Sequence, residues 1–126
     1  MTPNDRKYTR THEWVKIEGD IARVGISDHA QDSLGDITFI ELPAIGKAVK
    51  KGLEAGVIES VKAASDIFSP ISGAVESAND TLESAPEAIN QDPYNSGWLF
   101  TVKNIDKSEI DDLMDAESYE KYLETI

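Results

Sequence analysis

Short β-prone runs separated by turn residues fill the first two-thirds of the chain. Residues 14–17 and 21–26 read as two strands joined at Glu18-Gly19-Asp20, where glycine takes a positive φ at little cost. Ser27 or Asp28 then caps a short helix that runs through Leu34 and stops at Gly35. Residues 37–42 form the clearest strand, ended by Pro43, which has no N–H to give to a ladder. The pattern next predicts a tight hairpin: a strand over 53–60, a turn over 61–64 and a return strand over 65–69. Pro70 and Gly73 break the following connection, and 73–78 reads as a further strand. Strands this short with turns this dense predict a compact, mainly β barrel or sandwich.

The last third changes character. Residues 86–90 allow one helical turn, 92–95 a turn, and 98–102 a final strand with Trp98, Phe100 and Val102 on one face. Two short helices are expected over 108–114 and 116–123, the first opened by a capping box of Ser108 and Asp111. Tyr119, Tyr122 and Leu123, at i, i+3 and i+4, make a helical face suited to packing on the β core. A faint echo, Gly46-Lys47-Ala48-Val49 before the hairpin and Gly73-Ala74-Val75 after it, fits two similar halves closing around that hairpin. The organisation expected is a single domain over 1–126, with a loosely ordered leader over 1–7 and a helical segment over 108–126 packed on the strands.

Composition narrows the function classes. The chain has 126 residues, 40% of them hydrophobic, enough for one core but not for two lobes around a deep cleft. Its formal charge of −12 opposes nucleic acid and anionic membrane and favours partners with basic docking surfaces. The absence of cysteine excludes disulfides, thiolate metal sites, iron–sulfur clusters and cysteine nucleophiles. No apolar run reaches spanning length, and the amino-terminal stretch has no signal core. The expectation is a cytoplasmic, bacterial-type monomer, with the mature form of a mitochondrial protein kept as the lesser alternative.

The residues available for catalysis make no constellation. His12 and His29 lie beside acids, but no GxSxG elbow, zinc spacing, EF-hand, Walker or GxGxxG pattern accompanies them, so both read as surface or turn residues. Lys62 stands out by position. It sits at the expected hairpin tip in Glu59-Ser60-Val61-Lys62-Ala63-Ala64-Ser65-Asp66, where another enzyme can reach its amine and acylate it. Position alone does not separate it from any exposed lysine.

The larger pattern does. Tyr8-Thr9 with His12-Glu13-Trp14, Val24 to Gln31, Leu34-Gly35-Asp36-Ile37, Glu41-Leu42-Pro43, the Glu59–Asp66 hairpin, Ser69 to Gly73, Asn90 to Pro93 and Gly97-Trp98 together resemble the H-protein family of the glycine cleavage system over nearly the whole length. The resemblance implies a barrel-sandwich hybrid of two small sheets related by a pseudo-twofold, with short peripheral and C-terminal helices. It implies a non-catalytic carrier with lipoate attached as an amide to Lys62, which would change the formal charge from −12 to −13. Implied partners are a pyridoxal-phosphate glycine decarboxylase, a tetrahydrofolate-dependent aminomethyltransferase, a flavin (FAD) dihydrolipoyl dehydrogenase, and the enzymes that attach lipoate. Glu59 and Ser60 would be read by the lipoylating enzyme. Glu13 and Asp66 match positions associated with a pocket for the aminomethyl-loaded arm. Ser33 stands where relatives often carry histidine, so it receives no pocket role.

Other readings stay open at this level. Biotin carriers favour methionine on both sides of the lysine, whereas Val61 and Ala63 flank it here. Lipoyl domains of 2-oxoacid dehydrogenases usually place aspartate before the lysine and lack the C-terminal helices. An H-like protein relaying lipoyl groups to other enzymes would also carry Lys62. An unmodified acidic adaptor of the same fold is the alternative from another class, and an enzyme ranks last.

Overall fold

The computed structural model describes residues 2–126. Among these residues nine strands form two antiparallel sheets. The larger has six strands in the order β1-β2-β3-β9-β8-β5, and the smaller has three in the order β4-β6-β7. Their bounds are β1 Lys7–Tyr8, β2 Glu13–Glu18, β3 Ile21–Ile26, β4 Ile37–Glu41, β5 Ala48–Val49, β6 Glu54–Ser60, β7 Ala64–Phe68, β8 Gly73–Ala78 and β9 Phe100–Lys103. Short helices lie at the margins: α1 Asp28–Leu34, α2 Thr81–Ser84, α3 Ala88–Gln91 and α4 Ala116–Leu123. The two sheets, neither closed on itself, make the barrel-sandwich architecture.

The register follows from which side chains must leave water. β2 and β3 pair from Glu13↔Ile26 to Glu18↔Ile21, with Gly19 at φ 66 in the turn. β9 then lies between β3 and β8, so Val102 faces both Ala22 and Val75 across the ladders. Val24, Ile58, Ile67, Ile71, Val75, Leu82, Leu99 and Phe100 are all within 2% of full burial and belong to one core shared by the two sheets. The echoed segments pair with each other, Ala48 opposite Ala74 and Val49 opposite Gly73. The pairing is antiparallel, as a local twofold between the two segments requires.

A second cluster sits at one corner. Tyr8, Trp14 and Tyr119 are buried, and the rings of Tyr8 and Tyr119 stack 4.7 Å apart. Trp14 Nε1 donates to the Pro93 carbonyl at 3.1 Å. α4 therefore rests on β1 through Tyr119, with Tyr122 and Leu123 partly buried around the same corner. Asp115 caps this helix by accepting from Ser118 N at 2.8 Å, which holds its carboxyl below the usual range.

Several expectations are corrected. The amino-terminal segment is anchored, not loose, at its inner end. Lys7 belongs to β1, and Arg6 is buried with its guanidinium 4.6 Å from the Trp14 ring, donating to the Tyr94 carbonyl. Cation–π contact and burial of the aliphatic stem give a charged segment a reason to stay put. The helix expected over 108–114 is a single 3-10 turn, Lys107–Ile110, and its cap is Asp106, not a Ser108–Asp111 box. Asp106 accepts from both the backbone and the hydroxyl of Ser108, and a helix can start only where its first free N–H groups find acceptors. Trp98 precedes β9 and leaves the Phe100–Val102 face, stacking under Arg23 at 4.5 Å. The two-residue strands β1 and β5 and the turn α2 are too short for any periodicity to announce them.

Candidate functional site

Lys62 stands exposed at the tip of the β6–β7 hairpin, as do Val61 and Ala63. The platform beneath it is stiff. β6 is the middle strand of its sheet, paired with β4 on one side and β7 on the other. Ser60 N donates to the Ala63 carbonyl at 2.8 Å and closes the turn. The Ser60 hydroxyl accepts from the backbone N–H of Lys62 and of Ala63, each at 3.2 Å. A single side chain thus satisfies the turn's free donors, the local role for which serine is suited.

The tip is also tied sideways. Val61 N donates to the Asp36 carbonyl at 3.0 Å, joining the hairpin to the turn between α1 and β4. Gly35 makes that turn at φ 78, and a Cβ there would stand 3.3 Å from Lys62 Cε. Asn90 holds the same turn from below: its carbonyl accepts from Ile37 N at 2.9 Å, and its amide donates to the Gly35 carbonyl and to Gln31. The backbone carrying Lys62 is fixed at both sides. Its ammonium has no hydrogen-bond or ion-pair partner among the described residues, so the amine is held in the open.

Glu13 lies elsewhere, at the start of β2, and is 2% exposed. One carboxylate oxygen accepts from Thr9 Oγ1 at 2.8 Å and from the Thr11 hydroxyl, the other from Phe68 N at 3.3 Å. Burial pushes its pKa up, and the hydroxyl and backbone donors pull against that rise. It lines a largely apolar groove of about 230 Å³ with Thr9, Arg10, Phe68, Pro70 and Leu113. Thr9 enters the sequence resemblance only within Tyr8-Thr9, with no role of its own, and Thr11 not at all. Their signal was the alternation Thr9-x-Thr11-x-Glu13, a set of donors around one buried acid.

Asp66 is exposed on β7, opposite Val57, and shares no hydrogen bond with Glu13. Strand alternation puts Asp66 and Phe68 on one side of β7, the edge strand that leads from Lys62 toward the groove. Glu59 is exposed on β6 beside Ala64. No group of three or more histidine or acidic side chains among the described residues is arranged to hold a metal ion.

The histidines are not plain surface residues. His12 adopts φ 74 in the turn before β2, its ring 4.6 Å from that of His29 and its Nδ1 2.8 Å from the Tyr119 hydroxyl. The same hydroxyl hydrogen-bonds Ser27, the cap of α1, at 2.7 Å. Burial first and His29 second lower the His12 pKa, while burial raises the Tyr119 phenol to about 12. This is a joint between α1, the β2 turn and α4, and its two hydroxyls, Ser27 and Tyr119, are buried and taken up in holding it together.

Comparison with known proteins gives the family. A family model described as Glycine cleavage H-protein matches residues 6–126. A glycine cleavage system H protein of Thermus thermophilus is 51% identical over 123 residues, 98% of this chain and 96% of that protein. One from Idiomarina loihiensis is 56% identical over 119 residues, 94% of this chain and 92% of that protein. The crystal structure of a glycine cleavage system H protein from Mycobacterium marinum superposes with a TM-score of 0.85 at 37% identity, covering 94% of this chain and 96% of that one. Fold and sequence agree over nearly the whole length, and the chain belongs to the glycine cleavage H-protein family.

Proposed function

We propose that Lys62 is the attachment site of lipoate, and that the arm so formed serves the partner enzymes of glycine cleavage. Membership of the family makes the chain a carrier subunit and not an enzyme. The observation that carries the assignment is the open amine on a doubly tethered turn. Such an amine suits a covalent arm, because nothing has to be broken to acylate it and the backbone below it does not drift. In the attachment step the deprotonated Nζ attacks the carbonyl carbon of an activated acyl donor. A C–N bond forms, the donor's leaving group departs with its bonding pair, and the nitrogen gives up a proton. Ser60 supports recognition by shaping the turn, and Glu59 offers a carboxylate just outside it.

The lipoyl disulfide, once attached, supplies the redox-active sulfur that this cysteine-free chain lacks. The chain's own part is to aim and to shelter. Tethering raises the effective concentration of the arm's end at each docked active site, provided the anchor does not wander. The groove beside Glu13 has largely apolar walls, one buried carboxylate, and Arg10 and Lys51 in its lining, Lys51 already paired with Asp112; a cationic aminomethyl cargo seated against Glu13 would gain a charge-assisted contact and lose water. Asp66, on the strand between tip and groove, lies along the way.

The partners in this reading are the glycine decarboxylase, the aminomethyltransferase and the dihydrolipoyl dehydrogenase. Reconstitution with those three enzymes, glycine and tetrahydrofolate tests it. The lipoylated chain is expected to support turnover and Lys62→Arg to abolish it. Failure of the lipoylated chain would favour the lipoyl-relay role. Glu13→Gln and Asp66→Asn are expected to speed hydrolysis of the loaded carrier, and unchanged rates in both would remove the pocket role.

A further inference from the structure

No cation answers the buried carboxylate of Glu13. Its partners among the described residues are the Thr9 and Thr11 hydroxyls and the Phe68 N–H, all of them neutral. Taking a carboxylate out of water is costly, and a nearby cation is the usual remedy. Two cations line the same groove, Arg10 and Lys51, and both are engaged elsewhere. The Arg10 guanidinium lies 6.0 Å from the centre of the Tyr122 ring. The Lys51 ammonium donates to the Asp112 carboxylate and to the Glu109 carbonyl. That hold is built from two sides. The Lys51 backbone N–H donates to the Ser72 hydroxyl at 3.0 Å. Ser72 in turn donates from its N–H and its hydroxyl to the Glu109 carboxylate at 2.8 and 2.9 Å. The 3-10 turn is thereby fixed against the residue whose ammonium it receives, and Leu113, next after Asp112, adds to the groove wall.

We propose that Asp112, helped by the Glu109 carbonyl, is a positioning residue that keeps the Lys51 ammonium off Glu13, so that the buried carboxylate stays free for a cationic cargo. The proposal rests on the groove reading given above. A lysine carries a compact charge on a flexible four-carbon stem. Once released, Lys51 can swing into the groove it lines and neutralise Glu13. An ammonium seated there takes the oxygens that the cargo needs. The Asp112 side chain is 76% exposed and that of Lys51 27%, so the pair between them is weak and breaking it has a modest effect.

The first arm of the test uses the unloaded chain and follows the Glu13 carboxyl through its titration by carbon-13 NMR. Asp112→Asn should move that titration to lower pH, because an opposite charge nearby favours the ionised form. In the Lys51→Met background the same substitution should leave it in place, a rescue that a merely structural role for Asp112 would not give. The second arm uses the carrier lipoylated and loaded with the aminomethyl group. Water cleaves that group from sulfur to give the thiol, formaldehyde and ammonium, and formaldehyde is measured. Asp112→Asn should speed release about two- to threefold, the size set by a weak ion pair. Asp112→Asn/Lys51→Met should release at the rate of Lys51→Met alone. A Glu13 titration that Asp112→Asn does not move, or moves equally with and without Lys51, would overturn the holding role and leave the groove reading standing. A release rate unchanged by Glu13→Gln would overturn the groove reading and this proposal with it.

Discussion

The hairpin tip and the aromatic corner achieve order by opposite means. At the tip, Val61, Lys62 and Ala63 bury almost nothing, and order comes from backbone hydrogen bonds, the Ser60 hydroxyl and the tether to Asp36. At the corner, Tyr8, Trp14 and Tyr119 are buried outright, and their polar atoms reach Pro93, Pro3, Ser27 and His12. The tip can therefore change its side chain without cost to stability, and the corner cannot. That division suits a carrier, since the reactive position must be free to be modified while the rest of the molecule stays the same.

The sharpest way to break the comparison is to truncate one ring at the corner. Tyr119→Ala removes the stack on Tyr8 and leaves Ser27 and His12 without a shared partner, and should cost about 3–5 kcal/mol in urea unfolding. Acylation of the remaining folded fraction should be unaffected. Asn90→Ala reaches the tip's foundation by orphaning Ile37 N and the Gly35 carbonyl, and should cost about 1–3 kcal/mol. Gly35→Ala puts a Cβ at φ 78 and against Lys62 Cε, with an expected cost of about 1–2 kcal/mol and slower acylation. Lys62→Ala should shift unfolding by less than about 0.5 kcal/mol, since it removes an exposed side chain with no partner.

The smallest effect is one of pH. The folded state holds the His12 pKa below its ordinary value of 6.5, so the unfolded chain takes up the proton first. Stability should fall as pH drops below about 6.5 and level off under the folded value. His12→Gln should flatten that segment of the curve. Glu13 acts in the opposite sense. Its pKa is raised in the folded chain, so its contribution improves as pH falls through that raised value toward 4.5.

The same two regions explain what could be read from sequence. The tip is local: Ser60 to Ala63 lie next to one another, and strand–turn–strand patterning is enough to locate Lys62. β2, β3, α1 with its Ser27 cap, and the hairpin were legible for the same reason. The corner is non-local. Arg6 finds Trp14 and Tyr94, and His12 finds Tyr119, across up to 107 positions, and no periodicity encodes such meetings. Residues 1–7 read as loose because charge density signals solvent, whereas Arg6 is held by ring faces. The misplaced cap at Ser108 had a local rival, Asp106, two residues upstream with a better acceptor. Of the candidate site, Lys62 and Glu13 were visible through resemblance, while Gly35, Asn90 and the two threonines emerged as supports only through geometry.

The measurement that tests the central claim most directly is peptide mapping by mass spectrometry of the chain made in lipoate-replete cells, beside Lys62→Arg. The account predicts a lipoyl-amide mass on the peptide containing Lys62 and none in the variant. An unmodified Lys62, in cells that lipoylate a control domain, would contradict it.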